Sequence, residues 1–151
     1  MRAVIQRVKS ASVEVNGAIT GKIETGLLVL AGFEESDAGE DLEYVAGKIT
    51  RLRIFNDENE VMNLSVKQVN GDVLAVSQFT LHASTKKGNR PSYIRSAPAE
   101  VSKPLYEQFL KQLEKEMEKS VEKGIFGSDM KVSLTNDGPV TIIIDSKNRD
   151  F

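Results

Sequence analysis

Cysteine is absent from this 151-residue chain, and histidine occurs once, at position 82. The first absence removes disulfides, thiolate nucleophiles and cysteine metal sites, and suits a reducing compartment. Together the two make a dedicated transition-metal site unexpected, so no metal and no cofactor is predicted. No apolar run approaches the roughly 20 residues that span a bilayer. The start Met1-Arg2-Ala3-Val4-Ile5-Gln6 lacks the apolar core of a signal peptide. A cytoplasmic protein with no membrane partner is the expectation. Internal repeats, low-complexity stretches and linkers are also missing, so residues 1–151 are read as one domain, with 40% hydrophobic content to build a core. A net charge of −2 argues against a protein that coats nucleic acid along its length, and DNA is not an expected partner.

Acid is missing locally as well. From Val73 to Ala99 there is no aspartate or glutamate, where about four would fall at the chain's average (27 × 22/151). Lys86, Lys87, Arg90 and Arg95 lie in that gap, the first three within the loop-like Lys86-Lys87-Gly88-Asn89-Arg90-Pro91-Ser92-Tyr93. A local positive patch in an acidic chain fits a small anionic target. With only Phe79 and Tyr93 as nearby aromatics, it suits the end of a nucleic acid better than a long duplex.

Periodicity supplies the fold class. Ala3 to Val8 and Ser12 to Val15 have strand composition, and Asn16-Gly17 is a two-residue turn into Ala18 to Glu24. Gly26 to Phe33 and Val73 to Phe79 are near-continuous apolar runs that read as buried strands. Asp37 with Glu40 resembles a capping box, and Leu42, Val45, Ala46, Ile49 and Leu52 follow at helical spacing. A second stripe, Leu105, Phe109, Leu113, Met117 and Val121, predicts a helix closed by Gly124. The architecture expected is α+β, a mainly antiparallel sheet or barrel carrying two helices.

Two segments stand out as chemistry. Asn136-Asp137-Gly138-Pro139 is a turn signal between the apolar runs Met130 to Leu134 and Val140 to Ile144, but its proline cannot give a ladder N–H and can hold a cis bond. Such a segment can aim carbonyls outward as a recognition surface. In Ser77-Gln78-Phe79-Thr80-Leu81 a buried-type strand runs into hydroxyl and amide side chains. If the strand persisted, Gln78, Thr80 and His82 would share one face. Same-face neighbours in a strand lie roughly 6 to 7 Å apart, too far for a hydrogen-bonded threonine and histidine. His82 is left as a partly exposed loop residue without a role.

These two segments, in this order, resemble the two signature motifs of the D-aminoacyl-tRNA deacylase family, and the start Met1 to Val8 and the loop Lys87 to Ser92 match its style. The likeness covers essentially the whole chain. It implies an esterase that removes D-amino acids from the 3′ end of tRNA, working as a homodimer. It also implies that a cis Gly138-Pro139 pair reaches into the partner's site, where its carbonyls hold the amino group and leave no room for an L side chain. Ser77, Gln78, Phe79 and Thr80 would form the catalytic segment, Arg7 would help to hold the loop, and Lys86, Lys87 and Arg90 would meet tRNA. Glycyl-tRNA, with no side chain to clash, is expected to be hydrolysed too. No general base is visible beside Thr80, so a substrate-assisted route is preferred over a threonine nucleophile. Two other readings stay open at this point: a non-enzymatic binder of RNA ends, and an esterase for free D-amino acid esters.

Overall fold

A computed structural model describes residues 1–150. Its elements in chain order are β1 (Arg2–Val15), β2 (Ala18–Ile23), β3 (Gly26–Gly32), α1 (Gly39–Arg51), β4 (Phe55–Asn56), β5 (Met62–Leu64), β6 (Asp72–Ser77), a 3-10 turn (Phe79–His82), α2 (Ala99–Met117), β7 (Glu122–Lys123) and β8 (Lys131–Asp145). The class read from the sequence holds: two helices on a mostly antiparallel, barrel-like sheet. The order across the sheet is β2-β1-β3-β6-β7, with β8 on the other side of β1, and β2 packs back toward β7. Among the described residues only the β3–β6 and β6–β7 pairs are parallel.

The two runs Ala3 to Val8 and Ser12 to Val15 are one strand rather than two. Its first half pairs with β3 and its second with β2, and β8 runs along its opposite edge. Alternation along β1 puts Ala3 and Ile5 in a core shared with both helices, and Val13 and Val15 in a second core with Ile23, Leu28, Leu74 and Val76. From α1, Leu42, Val45, Ala46 and Ile49 enter the first core, and from α2 Tyr106, Phe109, Leu113 and Met117 do so. Apart from Tyr106, which enters the core while the predicted Leu105 is only partly buried, those positions are the predicted stripes, because 3.6-residue periodicity places them on one face.

Both helix ends differ from expectation. The N-cap of α1 is Ala38, and the N3 carboxylate of Asp41 accepts its N–H at 2.9 Å. Asp37 lies outside the helix and accepts the N–H of Glu34 at 2.8 Å and a contact from the Met1 ammonium. Helix α2 ends at Met117, because Glu118 turns left-handed (φ 58°). Val121 is still buried, but beyond the helix, and Gly124 caps nothing. The helical spacing of Val121 is incidental to the chain's return toward β7.

The Asn136–Pro139 segment is not the apex of a hairpin. Both flanking runs belong to β8, which pairs with β1 before and after the interruption. Gln6 faces Thr141 and Val8 faces Asn136, so the four residues Asp137 to Val140 stand opposite Arg7 alone and form an outward bulge. Among the described residues the far edge of β8 pairs with no strand, and Leu134 and Ile143 on it are exposed. A 15-residue strand with an open edge and exposed apolar side chains is a ready surface for another chain.

No helix among the described residues is long and apolar enough to cross a membrane.

Candidate active site

The parallel strands β3 and β6 end side by side, with Ala31 level with Ser77. Just beyond, the Gln78 N–H donates to the Ala31 carbonyl at 2.7 Å, and the chain then tightens into the Phe79–His82 turn. The strand therefore stops at Ser77, which overturns the alternation expected through His82. A side chain at position 32 is what the turn excludes: a Cβ on Gly32 would lie 2.7 Å from the Gln78 carbonyl oxygen and 3.1 Å from Leu81 Cβ. Strand β1 clamps the same turn, since Arg2 donates to the Leu81 carbonyl at 2.8 Å and is itself held by Asp145 at 2.8 Å. Burial works to raise the Asp145 pKa, but its bonds to Arg2 and to the backbone of Lys147 and Asn148 outweigh that and keep it below the usual carboxylate range.

A cleft of about 520 Å³ opens over this turn. Ser77, Gln78 and Phe79 line one wall, Gly32 and Phe33 the floor end of β3, Ala99 and Ser102 the start of α2, and Phe126 to Met130 the remaining wall. Volume and apolar lining suit one nucleoside-sized group with a few polar contacts. Phe79 is 56% exposed and meets Tyr93 edge-on at 5.1 Å. The Ser96 hydroxyl donates to the Phe79 carbonyl at 2.8 Å, a second tie between the turn and the loop that follows it. The backbone N–H groups of Phe79 and Thr80 have no acceptor among the described residues, so both can serve a ligand oxygen.

Thr80 is half-buried, and its hydroxyl oxygen accepts from the Gln78 side-chain amide at 2.5 Å. A donor on that oxygen draws electron density away from it, the reverse of what a general base would do. Among the described residues the Thr80 hydroxyl has no bond to a basic side chain. His82 departs from expectation: its side chain is fully buried, and it makes no bond to Thr80.

The Gly138-Pro139 peptide bond is cis, and Gly138 has φ 131°. Arg7, only 7% exposed, holds the bulge from beneath. Its Nε donates to the Asp137 carbonyl at 3.0 Å, and its Nη1 donates to the Ile54 carbonyl at 2.5 Å and to Asn56 Oδ1 at 3.4 Å. Asn136, which the sequence marked only as part of a turn, closes the bulge by accepting the Val140 N–H at 3.0 Å. The bulge and the turn do not meet within one chain. Arg7 is four residues along β1 from the level of Ser77, about 13 Å, and β8 lies three strand spacings from β6, about 14 Å.

The basic loop leaves the site on a short stem. Ser84 and Ser92 pair through two backbone bonds of 2.8 and 2.9 Å, and Lys86, Lys87 and Arg90 are exposed between them. Among the described residues none of these three has an acidic partner within salt-bridge distance. Arg95, the fourth cation of the acid-poor stretch, is engaged: it donates to Glu34 at 2.8 Å. Sequence reasoning missed Gly32, Ser96 and the Phe126–Met130 wall. Nothing in their local sequence marks them, and only tertiary proximity makes them part of a site. Among the described residues no cluster of three or more metal-ligating side chains occurs.

Comparison with known proteins agrees with this geometry. A protein of Flavobacterium johnsoniae described as a D-aminoacyl-tRNA deacylase is 61% identical over 150 residues, covering 99% of this chain and all of that one. Its counterpart by name in Dechloromonas aromatica is 63% identical over 147 residues, covering 97% and 98% of the two chains. A solved structure described as a c-Myc DNA unwinding element binding protein is 40% identical, with a TM-score of 0.90 over 96% of this chain and 98% of its own. Another, of a probable eukaryotic D-amino acid tRNA deacylase, shares the fold at 18% identity, with a TM-score of 0.80 over 95% and 97%. The family model for D-Tyr-tRNA(Tyr) deacylase matches residues 4–145, and the chain belongs to that family.

Proposed function

We propose that this protein hydrolyses the ester bond of D-aminoacyl-tRNA, releasing the free D-amino acid and the tRNA, as a homodimeric domain spanning residues 1–151 in the cytoplasm. The observation that carries the reading is that one chain holds both a nucleoside-sized cleft at Ser77-Gln78-Phe79 and a strand bulge at Gly138-Pro139 too far away to cover it, an arrangement that a second copy would complete. The open edge of β8 supports that second copy. With the bulge of one chain over the cleft of the other, D and L esters present the same groups and differ only in where the side chain points. Selection then comes from a clash built against the L side chain, imposed by a bulge that is braced at both ends, where Arg7 donates to the Asp137 carbonyl and Asn136 accepts the Val140 N–H.

The terminal adenosine occupies the cleft, and Lys86, Lys87 and Arg90 take phosphates of the acceptor end. The Phe79 and Thr80 N–H groups donate to the oxygen on which charge develops, and the ribose hydroxyl beside the ester activates the attacking water. Thr80, already engaged by Gln78, shapes the turn and is not a nucleophile. Replacing Thr80 with Ala is therefore expected to lower the single-turnover rate by no more than about tenfold. A tRNA whose terminal ribose lacks the neighbouring hydroxyl is expected to lose nearly all turnover. Near-total loss in a folded Thr80→Ala protein would reverse the assignment.

The test of the function itself compares D-tyrosyl-tRNA with D-tyrosine ethyl ester under the same enzyme concentration. Efficient cleavage of the first and negligible cleavage of the second supports the reading. Equal cleavage makes the protein a free-ester esterase with an incidental basic loop. Tight binding of the tRNA without cleavage of either makes it a binder of RNA ends.

A further inference from the structure

The one histidine of the chain sits in the hydrolytic turn and has been given no task. We propose that His82 is a positioning residue for this turn, a ring packed on its buried side that keeps the backbone of Phe79 and Thr80 in the reacting geometry. The inference rests on the placement of the hydrolytic step at Phe79 and Thr80 given above.

Three observations carry it. The His82 side chain is 0% exposed while Phe79, three residues earlier in the same turn, is 56% exposed, so the ring is the turn's inward anchor. Space for it is reserved: a Cβ on Gly32 would come within 3.2 Å of His82 Cδ2. Neither ring nitrogen has a hydrogen-bond partner of normal geometry among the described residues. Buried polar atoms are rarely left so, and each exception asks for an explanation.

The groups facing the ring tell what a proton would do. The chain's start at β1 brings the Met1 ammonium and Arg2, two cations, each with a carboxylate partner in Asp37 and Asp145. The segment after β3 brings Glu34, whose Oε1 lies 3.5 Å from His82 Nδ1 and is shared with Arg95. Burial lowers the His82 pKa from its ordinary value of 6.5; the Gly32 backbone and Glu34 oppose the shift, and the two cations of β1 add to it. The ring is thus neutral at pH 7. On protonation it becomes a double donor, and the nearest takers are the Gly32 backbone and Glu34. Either bond draws on what already holds the turn and the loop after it, since Glu34 is the anchor of Arg95 and Gly32 is where the turn crosses β3. The sign follows from linkage. The folded pKa lies below the unfolded one, so the ring's contribution to stability is complete above about pH 6.5 and is lost as the pH falls through the folded value.

The experiment uses the full chain and D-tyrosyl-tRNA in single-turnover assays from pH 5 to 8, with wild type, His82→Ala and His82→Phe. His82→Ala is expected to lower the maximal rate at pH 7.5 by about tenfold or more while the half-saturating concentration stays within about twofold, as for a group that acts on geometry and not on binding. His82→Phe, an uncharged ring of similar breadth, is expected to restore the rate to within about threefold. The ratio of wild-type to His82→Phe rates cancels the substrate's own pH response. It is expected to fall below pH 6.5 with an inflection that matches the titration of the single imidazole followed by proton NMR. Variants at the wild-type rate with a flat ratio overturn the inference.

Because a variant can lose its fold, the wild type supplies a second arm. The amide signals of Phe79 and Thr80 are expected to move with the imidazole titration, and stationary amides overturn the inference whatever the activity. Wild-type protein that fails to cleave the ester overturns the proposed hydrolysis, and the amide arm still decides the role of His82.

Discussion

Gly138→Ala should lower the rate of D-tyrosyl-tRNA deacylation by roughly 100-fold, the scale on which a displacement of about 1 Å acts at a reacting centre. At φ 131° an L side chain is strained whatever its surroundings. The surroundings are also closed, since a Cβ there would lie 2.9 Å from Val140 Cγ2 and 3.1 Å from the Arg7 guanidinium. The backbone has to rotate and the carbonyls on either side of Pro139 turn with it. Because the bulge is an outward excursion from a strand that pairs on both sides, the loss of stability is expected to be only about 1–3 kcal/mol, the usual cost of one strained residue. Thermal denaturation beside single-turnover assays separates the two effects. A variant that keeps the wild-type rate would mean that the bulge does not touch substrate. The same geometry predicts that glycyl-tRNA is hydrolysed as well, because it has no side chain for the carbonyls to reject. A glycyl ester as inert as an L ester would replace exclusion with positive recognition of a D side chain.

Gly32→Ala is the second large expected effect, and it acts from the opposite side of the site. The new methyl would lie 2.7 Å from the Gln78 carbonyl oxygen, a backbone atom that cannot step aside without moving the Phe79–His82 turn. Overpacking of this kind costs about 1–3 kcal/mol. The larger consequence is chemical, since the Phe79 and Thr80 N–H groups move with the turn, and a loss of roughly 100-fold in rate is expected with little change in tRNA affinity. Binding of uncharged tRNA, measured alongside, distinguishes this from a general loss of fold. An unchanged rate would show that the turn's position is not critical to the reaction.

How far these features could be read in the sequence depends on whether their cause is local. The helical stripes of α1 and α2, the Asn16-Gly17 turn and the acid-poor loop are local properties of composition, and they stand where expected. Asn136-Asp137-Gly138-Pro139 has the residues of a turn. Whether such residues end a strand or bulge from it is decided by the partner strand, and β1 lies about 130 residues earlier in the chain. The stop of β6 at Ser77 is equally non-local. Nothing in Gln-Phe-Thr-Leu demands a 3-10 turn, and the requirement comes from Gly32 and the Ala31 carbonyl on β3. Val121 misled because its spacing from Met117 is helical while the left-handed Glu118 has already broken the helix. His82 misled in the other direction. An imidazole amid polar residues reads as surface, and only the convergence of β1, β3 and the turn seals it.

The central claim is a chiral one: a cleft at the end of β3 and β6, completed by the Gly138-Pro139 bulge of a second copy, hydrolyses one enantiomer and refuses the other. Its most direct test is single-turnover deacylation of D-tyrosyl-tRNA beside L-tyrosyl-tRNA by the purified protein at matched concentration. The predicted result is rapid loss of the D ester with the L ester at its spontaneous rate. A ratio of 1,000 or more would correspond to about 4 kcal/mol of discrimination, within reach of one well-placed clash. Loss of both esters at similar rates would contradict the account and leave an esterase without a chiral sieve.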